Sequence, residues 1–84
     1  MEIRYSPAAV ETLDNLAPQI RKRIIAKMRF YASAPDPLEF AEHLTDDPEA
    51  PYRYRIGKDW RVKFAIEGGA IVVKRIGRRD KIYG

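Results

Sequence analysis

Residues 52–76 read YRYRIGKDWRVKFAIEGGAIVVKRI, in which cationic and apolar side chains largely alternate. Alternation with a period of two places the two kinds of side chain on opposite faces of a β-strand. Turn-forming residues at 57–59 and at 68–69 divide the stretch, and a glycine pair between apolar runs is typical of a tight hairpin. The stretch therefore predicts three consecutive antiparallel strands, Tyr52–Ile56, Trp60–Glu67 and Ala70–Ile76.

The segment before these strands carries one strand signal and two helix signals. Residues 2–5 alternate like a short strand, and Ser6 followed by Pro7 is typical of a helix N-cap with proline at the first helical position. The apolar positions of this first helix are Val10, Leu13 and Leu16. A second helix is predicted from Pro18 and must end near Pro35, because the residue before a proline avoids the helical region. Its apolar stripe consists of Ile20, Ile24, Met28 and Tyr31.

The order β-α-α-β-β-β predicts the α+β class. We expect a two-helix hairpin packed on one face of a small, mainly antiparallel four-stranded sheet. A chain of 84 residues is too short for two cores, so residues 1–84 are interpreted as a single domain.

The charges are unevenly distributed along the chain. Residues 1–51 hold six basic and nine acidic residues, whereas residues 52–84 hold ten basic and three acidic ones. Most of the acid lies in residues 35–51, which we call the acidic connection: Asp36, Glu39, Glu42, Asp46, Asp47 and Glu49. The apolar spacing within it, at 38, 40, 41 and 44, predicts a short amphipathic turn against the core. A strongly basic second half indicates a polyanionic partner.

The basic face is the predicted sheet surface that carries Arg53, Arg55, Arg61 and Lys63. The apolar residues of Trp60–Glu67 are expected to face the helices, so the cations face away from them. Neighbouring strands lie about 4.8 Å apart, and like charges at that spacing repel each other and favour an anionic ligand. Arginine suits phosphate because its planar fork donates two hydrogen bonds. A polyanion-binding surface is thus favoured over a merely solvated sheet face, while the phase of the last strand stays open.

Composition excludes several other kinds of site. The chain has no cysteine, so it forms neither disulfides nor thiolate metal sites. Its one histidine, His43, lies in the acidic connection and is interpreted as a surface residue. There is no metal-ligand spacing, phosphate loop or Ser/His/Asp set. No apolar stretch approaches the roughly 20 residues of a membrane span, and residues 1–5 lack the apolar run of a signal peptide. We expect a cytoplasmic protein without a membrane partner.

On such a surface, tyrosine and arginine are the residues that can carry out acid–base chemistry. Nearby cations lower the pKa of a tyrosine from about 10 because they favour the phenolate, which can then act as a general base. Tyr83, close behind Arg78 and Arg79, is the candidate, and the alternative is a terminal aromatic that closes the edge of the core. The arginines can stabilise a pentavalent phosphorane and protonate a leaving oxygen.

Two motifs resemble the RelE/ParE superfamily of toxins. Residues 52–64, YRYRIGKDWRVKF, resemble its central hairpin, where a basic and apolar alternation and a short turn precede the pattern aromatic-Arg-Val-x-aromatic. The tail at residues 76–83, IGRRDKIY, is similar to the closing signature of an apolar residue, Gly, a His or basic residue, Arg, a few polar residues and Tyr. The opening strand and helical hairpin also match in order and length, so the resemblance covers the whole chain.

The resemblance implies the toxin of a type II toxin–antitoxin system, neutralised by a cognate antitoxin protein. RelE-like members cleave mRNA in the ribosomal A site by attack of the 2′-hydroxyl on the adjacent phosphate, without a metal or cofactor. ParE-like members share the fold but bind and inhibit DNA gyrase. An inactive member that only binds its antitoxin is a third possibility. The set of arginines together with a terminal tyrosine favours the RelE-like nuclease.

By position, the resemblance also implies a role for each site residue. Arg61 matches the arginine that holds the scissile phosphate, Arg79 the arginine proposed as general acid, and Tyr83 the tyrosine associated with activation of the 2′-hydroxyl. These three form the implied catalytic set. The implied RNA-binding set is Arg53, Arg55, Lys63, Arg78 and Lys81. Its first two members replace a pair of lysines, and Arg78 stands where many relatives have histidine.

Overall fold

The computed structural model describes residues 1–82. Its elements are β1 (Glu2–Tyr5), α1 (Pro7–Asp14), α2 (Pro18–Ser33), a 3₁₀ turn (Pro37–Phe40), β2 (Glu42–His43), β3 (Tyr52–Ile56), β4 (Trp60–Glu67) and β5 (Ala70–Arg78). The strands form one sheet in the order β1-β5-β4-β3-β2, with β1 parallel to β5 and the other neighbours antiparallel. The α+β class with a helical hairpin on the sheet is confirmed, but the sheet has five strands and not the predicted four.

The helices begin where the sequence predicts. The Ser6 hydroxyl accepts a hydrogen bond from the backbone N–H of Ala9, and a proline opens each helix. The predicted inward position of Val10 is wrong, since this side chain is 43% exposed. Ala9 enters the core instead, beside the correctly predicted Leu13, because residues four apart lie above each other on one helix face. Neither of these helices has the length and apolarity needed to cross a bilayer, within the part of the chain described.

An aromatic stack joins α2 to the sheet. The ring of Tyr31 stacks on Tyr54 with centroids 4.2 Å apart, and Tyr54 stacks on Phe64 at 4.3 Å. The buried Tyr54 hydroxyl donates a hydrogen bond of 2.7 Å to the carbonyl of Pro37, and burial raises its pKa to about 12. Because Tyr54 is fixed on the helix side, the arginines that flank it in β3 must project from the other side.

The acidic connection contributes the fifth strand, which the sequence analysis did not predict. Glu42–His43 pairs with Tyr52 and Arg53 at the edge of the sheet. Two residues are too few for an alternating pattern to show in the sequence. The predicted amphipathic turn is present as the 3₁₀ turn, where Leu38 and, just after it, Ala41 pack against the core.

A bulge in β5 settles the phase that the sequence left open. Phe64 of β4 pairs with Val73, but the preceding residue Lys63 pairs with Arg75, so Lys74 is extra. Because of this extra residue, the core residue that follows Val73 in β5 is Ile76, so the spacing between them is three residues instead of two. Arg75 consequently lies on the same face as Lys63, away from the helices.

Candidate functional site

The basic face lies on the side of the sheet opposite the helices, as predicted. Arg55 pairs with Arg61 and Arg53 pairs with Lys63 across β3 and β4, so the four cations form two adjacent rows. Directly paired residues project from the same face of a sheet. Arg75, the partner of Lys63 on β5, extends the positive patch to a third strand.

Arg61 is enclosed at the turn between β3 and β4. Its Nη1 donates hydrogen bonds to the backbone carbonyls of Gly57, Lys58 and Trp60 at 3.3, 3.3 and 2.8 Å. The residue is 6% exposed. The turn carbonyls therefore hold one side of the guanidinium in a fixed orientation, which spares a ligand part of the cost of ordering a long side chain.

Arg61 also lies within a cluster of like charges. Burial lowers the pKa of Arg61, and the charges of Arg55, Arg53 and Arg79 lower it further, while the Glu42 carboxylate opposes them. A guanidinium keeps its proton at neutral pH, so the repulsion persists in the free protein. A bound anion relieves this repulsion, which makes the surroundings of Arg61 favourable for a phosphate group.

Glu42 reaches the basic face from β2. Its Oε1 accepts a hydrogen bond from Nε of Arg53 at 3.2 Å and from Nε of Arg55 at 3.3 Å. The hydrogen bond from Arg53 is the main cause that lowers the pKa of Glu42, so the carboxylate is ionised at neutral pH. Within residues 1–82, the Nη groups of both arginines donate no hydrogen bond to the protein. The Glu42 carboxylate thus binds both arginines, and each arginine keeps its Nη donors for a further ligand.

The acidic connection also covers Lys63. Lys63 Nζ lies 2.6 Å from Asp47 Oδ2, and the lysine side chain is only 5% exposed. The other oxygen of Asp47 accepts a hydrogen bond from the backbone N–H of Ala50 at 3.2 Å. The expectation that all four cations lie on an open surface is therefore wrong for Lys63, which an internal carboxylate occupies, and for the enclosed Arg61.

Removing the charge of Asp47 is expected to flatten the acid dependence of stability. The hydrogen bond from Lys63 lowers the pKa of Asp47 in the folded chain, below the value of about 3.9 for an unfolded aspartate. The stability that Asp47 contributes is therefore complete above that value and is lost as the pH falls through the folded pKa. Asp47→Asn should melt at a lower temperature than the wild type at neutral pH and lose less on acidification.

Thermal melts by circular dichroism between about pH 2 and 7 measure this difference. Asp46→Asn is the matched control, since it removes the same charge from the neighbouring position, which forms no ion pair within residues 1–82. Parallel plots of melting temperature against pH for the wild type and Asp47→Asn would show that the pair with Lys63 makes no contribution to the acid dependence of stability.

The tail brings one predicted residue to the basic face and directs another to the opposite side. The backbone N–H of Arg79 donates to the carbonyl of Asp59 at 2.7 Å, which holds Arg79 at the end of the sheet where Arg61 lies. Arg78 pairs with Trp60 and stands 5.8 Å from its ring centroid, on the helix side. The structure therefore groups Arg79 with Arg61 and separates Arg78 from them.

The last described residues fold over the basic face. Ile82 is 3% exposed, and its side chain lies 3.4 Å from where a Cβ on Gly77 would stand. Gly77 pairs with Arg61, so Ile82 lies on the same face of the sheet as Arg61. Lys81 is exposed. Tyr83 lies outside the described residues, and its role stays a prediction.

Sequence reasoning missed three residues of this surface: Glu42, Asp47 and Arg75. The two carboxylates belong to a segment interpreted only as a connection. Their signal was the charge split itself, because a net negative segment directly before a strongly basic one is suited to pair with it. Arg75 was missed because the bulge at Lys74 hides the phase of β5.

The arrangement is suited to bind a phosphodiester and to stabilise added negative charge on it. Guanidinium groups on adjacent rows can donate to several phosphate oxygens at once. The burial of Arg61 strengthens such a contact at this residue, since charges interact more strongly where water is excluded. The exposed His43 stacks on Tyr52 at the sheet edge and does not join the basic face. No cluster of three or more metal-ligating side chains occurs among the described residues.

The sequence matches the model of one protein family over almost its whole length. This family is described as the ParE toxin of the type II toxin–antitoxin system, parDE, and the match spans residues 3–83. No curated protein is significantly similar to the chain in sequence.

Solved structures of toxins share the fold at low sequence identity. A chain of the toxin–antitoxin complex RelBE2 from Mycobacterium tuberculosis is 21% identical, with 93% of this chain and 96% of that chain covered and a TM-score of 0.73. The isolated RelE toxin of E. coli is 14% identical, with 92% and 82% covered and a TM-score of 0.71. For the RelB–RelE complex of Methanococcus jannaschii the identity is 24%, the coverage 95% and 94%, and the TM-score 0.66.

Proposed function

The chain belongs to the family of ParE toxins of type II toxin–antitoxin systems, and on this premise we propose that it is a ribosome-dependent mRNA endonuclease of the cytoplasm. The observation that carries the proposal is the enclosed Arg61 guanidinium, which is surrounded by the charges of Arg53, Arg55 and Arg79. An inhibitor that acts by protein contact alone has no need of a buried cation surrounded by like charges. A phosphoryl-transfer site needs one, because negative charge grows on the phosphate in the transition state.

The proposed reaction is an internal transesterification of RNA. The 2′-oxygen forms a bond to the adjacent phosphorus as its proton leaves to a base, and the bond from phosphorus to the 5′-oxygen breaks as that oxygen takes up a proton. The products are a 2′,3′-cyclic phosphate and a 5′-hydroxyl. The reaction consumes no water and requires no metal ion, oxidant or reductant.

Four residues take roles in this reaction. Arg61 and its neighbour Arg55 hold the scissile phosphate and stabilise the charge on its non-bridging oxygens. Arg79 donates the proton to the leaving 5′-oxygen, which is feasible because an alkoxide, about as basic as hydroxide, is a stronger base than a neutral guanidine. Tyr83 accepts the proton of the 2′-hydroxyl, and this assignment rests on the sequence alone.

Binding groups around the reacting phosphate complete the proposal. Arg53 and Arg75 are assigned to neighbouring phosphates, and their position in the row next to Arg55 and Arg61 supports this assignment. Lys81 is exposed and contributes charge at the tail. Lys63 acts indirectly by anchoring Asp47. Arg78 faces the helix side and is assigned to contacts outside the cleavage site.

A cognate antitoxin is the second proposed partner. The structures of RelB–RelE complexes from M. tuberculosis and M. jannaschii support it, because the similar chains in those complexes are toxins bound to antitoxins. An antitoxin segment that carries acidic side chains would fit the basic face, where it would exclude RNA.

Cleavage of mRNA by the purified chain in a translating extract tests the proposed function. Primer extension should locate cuts within codons in the ribosomal A site, and the same mRNA without ribosomes should stay intact. Arg61→Ala, with its fold checked by circular dichroism, should remove the cuts. Intact mRNA in the presence of folded wild-type protein would refute the nuclease.

Inhibition of DNA gyrase is the second candidate function, because the matching family is named after ParE. Under this alternative, the chain should block supercoiling of a relaxed plasmid by purified gyrase. Blocked supercoiling together with intact mRNA would replace the nuclease by the gyrase inhibitor.

A further inference from the structure

We propose that Glu42 is a built-in competitor of RNA, whose carboxylate occupies the place on Arg53 and Arg55 that a phosphate group takes when RNA binds. The inference rests on the proposed function only in taking RNA as the ligand. It makes Glu42 the residue that sets how tightly the basic face holds the phosphate backbone.

The geometry around Glu42 is that of a bound anion. A single oxygen, Oε1, accepts hydrogen bonds from Nε of Arg53 and of Arg55 at 3.2 and 3.3 Å. Phosphate oxygens accept hydrogen bonds from guanidinium groups in the same way. A phosphodiester therefore cannot take both Nε donors while Glu42 holds them, and its own negative charge repels the carboxylate.

Glu42 is also easy to displace. Its side chain is 37% exposed, and those of its partners Arg55 and Arg53 are 66% and 20% exposed. Water screens the pair with Arg55 most strongly. The strand that carries Glu42 has two residues and lies at the edge of the sheet, with a neighbour on one side only. The carboxylate can swing into water without breaking the core.

Asp47 provides an internal contrast to Glu42. It binds a Lys63 side chain that is only 5% exposed, and its second oxygen accepts a backbone hydrogen bond from Ala50. Release of Asp47 would leave a buried ammonium group without a partner, which is far more costly than release of an exposed pair. Of Glu42 and Asp47, Glu42 is therefore the one that RNA can replace.

The functional consequence is a weaker affinity for free RNA than the number of cations implies. Binding must first release the carboxylate from two arginines, and an exposed ion pair such as the one with Arg55 is worth up to about fivefold in an equilibrium constant. The competition holds throughout the neutral pH range, since the Arg53 hydrogen bond lowers the pKa of Glu42 and keeps it ionised.

Fluorescence anisotropy with a labelled, single-stranded 2′-O-methyl RNA oligonucleotide tests the proposal. The methyl group blocks 2′-oxygen attack, so the assay reports binding and is independent of cleavage. Glu42→Gln is expected to lower Kd about 3- to 10-fold and to steepen the dependence of log Kd on log salt by roughly 0.7, the value for one more phosphate contact with a single strand. Failure of the proposed nuclease would leave this result unchanged.

Glu11→Gln is the matched control, because it removes one acidic charge from an exposed position on α1, remote from the basic face. It should change Kd less than twofold. A second control places Glu42→Gln in a chain that also carries Arg53→Gln and Arg55→Gln, where the gain should vanish. Equal effects of Glu42→Gln and Glu11→Gln, weaker binding by Glu42→Gln, or no binding by any variant would each overturn the proposal.

Discussion

Replacement of Arg61 by alanine is expected to lower the rate of mRNA cleavage on the ribosome by at least about 100-fold. Arg61 lies in the row between Arg55 and Gly77, and it is enclosed by the turn and by the folded tail. A cation in such a water-poor position stabilises the developing charge of a phosphorane far more than a solvated one does. Its three hydrogen bonds to turn carbonyls fix it before the substrate arrives.

Single-turnover cleavage of mRNA on stalled ribosomes measures this effect, with primer extension as the readout. Arg61→Lys keeps the charge but loses the fork that donates to the carbonyls and to the phosphate, so an intermediate rate is expected. Lys22→Ala, an exposed change on the outer surface of α2, should leave the rate unaltered. A rate for Arg61→Ala within about threefold of the wild type would remove Arg61 from the proposed catalytic set.

Folding must be checked alongside activity, because Arg61 also supports the turn. Its Nη1 is a hydrogen-bond donor to three carbonyls, of Gly57, Lys58 and Trp60, and alanine offers none. A melting curve for Arg61→Ala separates the two effects. Loss of cleavage in a variant that is still folded at the assay temperature reports on chemistry.

Replacement of Phe64 by alanine is expected to lower the free energy of unfolding by about 3–5 kcal/mol. Phe64 is fully buried in β4 and stacks on Tyr54 at 4.3 Å and on Tyr52 at 5.5 Å. Alanine loses the transfer free energy of the ring and leaves a cavity between the sheet and α2, which neighbouring side chains can fill only in part. Domains of this size have a total stability of only about 5–15 kcal/mol, so a substantial unfolded fraction is expected.

Urea denaturation followed by circular dichroism measures the loss. Phe40→Ala is the matched control, since the same atoms are removed from a side chain that is 43% exposed. This control should cost about 1 kcal/mol or less, and the two variants should show similar m-values. A loss below about 1 kcal/mol for Phe64→Ala would contradict the central position of the aromatic stack in the core.

The fold was largely predictable because its signals are local. The alternation in residues 52–67 assigns the faces of β3 and β4, and the prolines at 7 and 18 mark the helix starts. Val10 was misplaced because a helix of eight residues contains too few apolar positions to define its inner face. The phase of β5 was hidden by the bulge at Lys74, which breaks the period of two.

The candidate site was predictable only in part. The cations of β3 and β4 share a face because strand geometry requires it, and sequence alone identified this set. The two tail arginines are adjacent in sequence and differ in place: Arg79 joins the basic face, whereas Arg78 lies over Trp60. Arg78 faces the helix side because it is the last residue of β5 and pairs with Trp60 of β4. Where β5 ends is thus set by its pairing with β4.

The sequence by itself determined the α+β class and the basic face on the far side of the sheet, because these follow from local periodicity. Only the tertiary structure decided that the acidic connection folds onto that face, with Glu42 on Arg53 and Arg55 and Asp47 on Lys63. Those carboxylates lie 11 to 16 residues away along the chain from their partners. Such contacts form through packing of the whole chain, and no pattern of neighbouring residues specifies them.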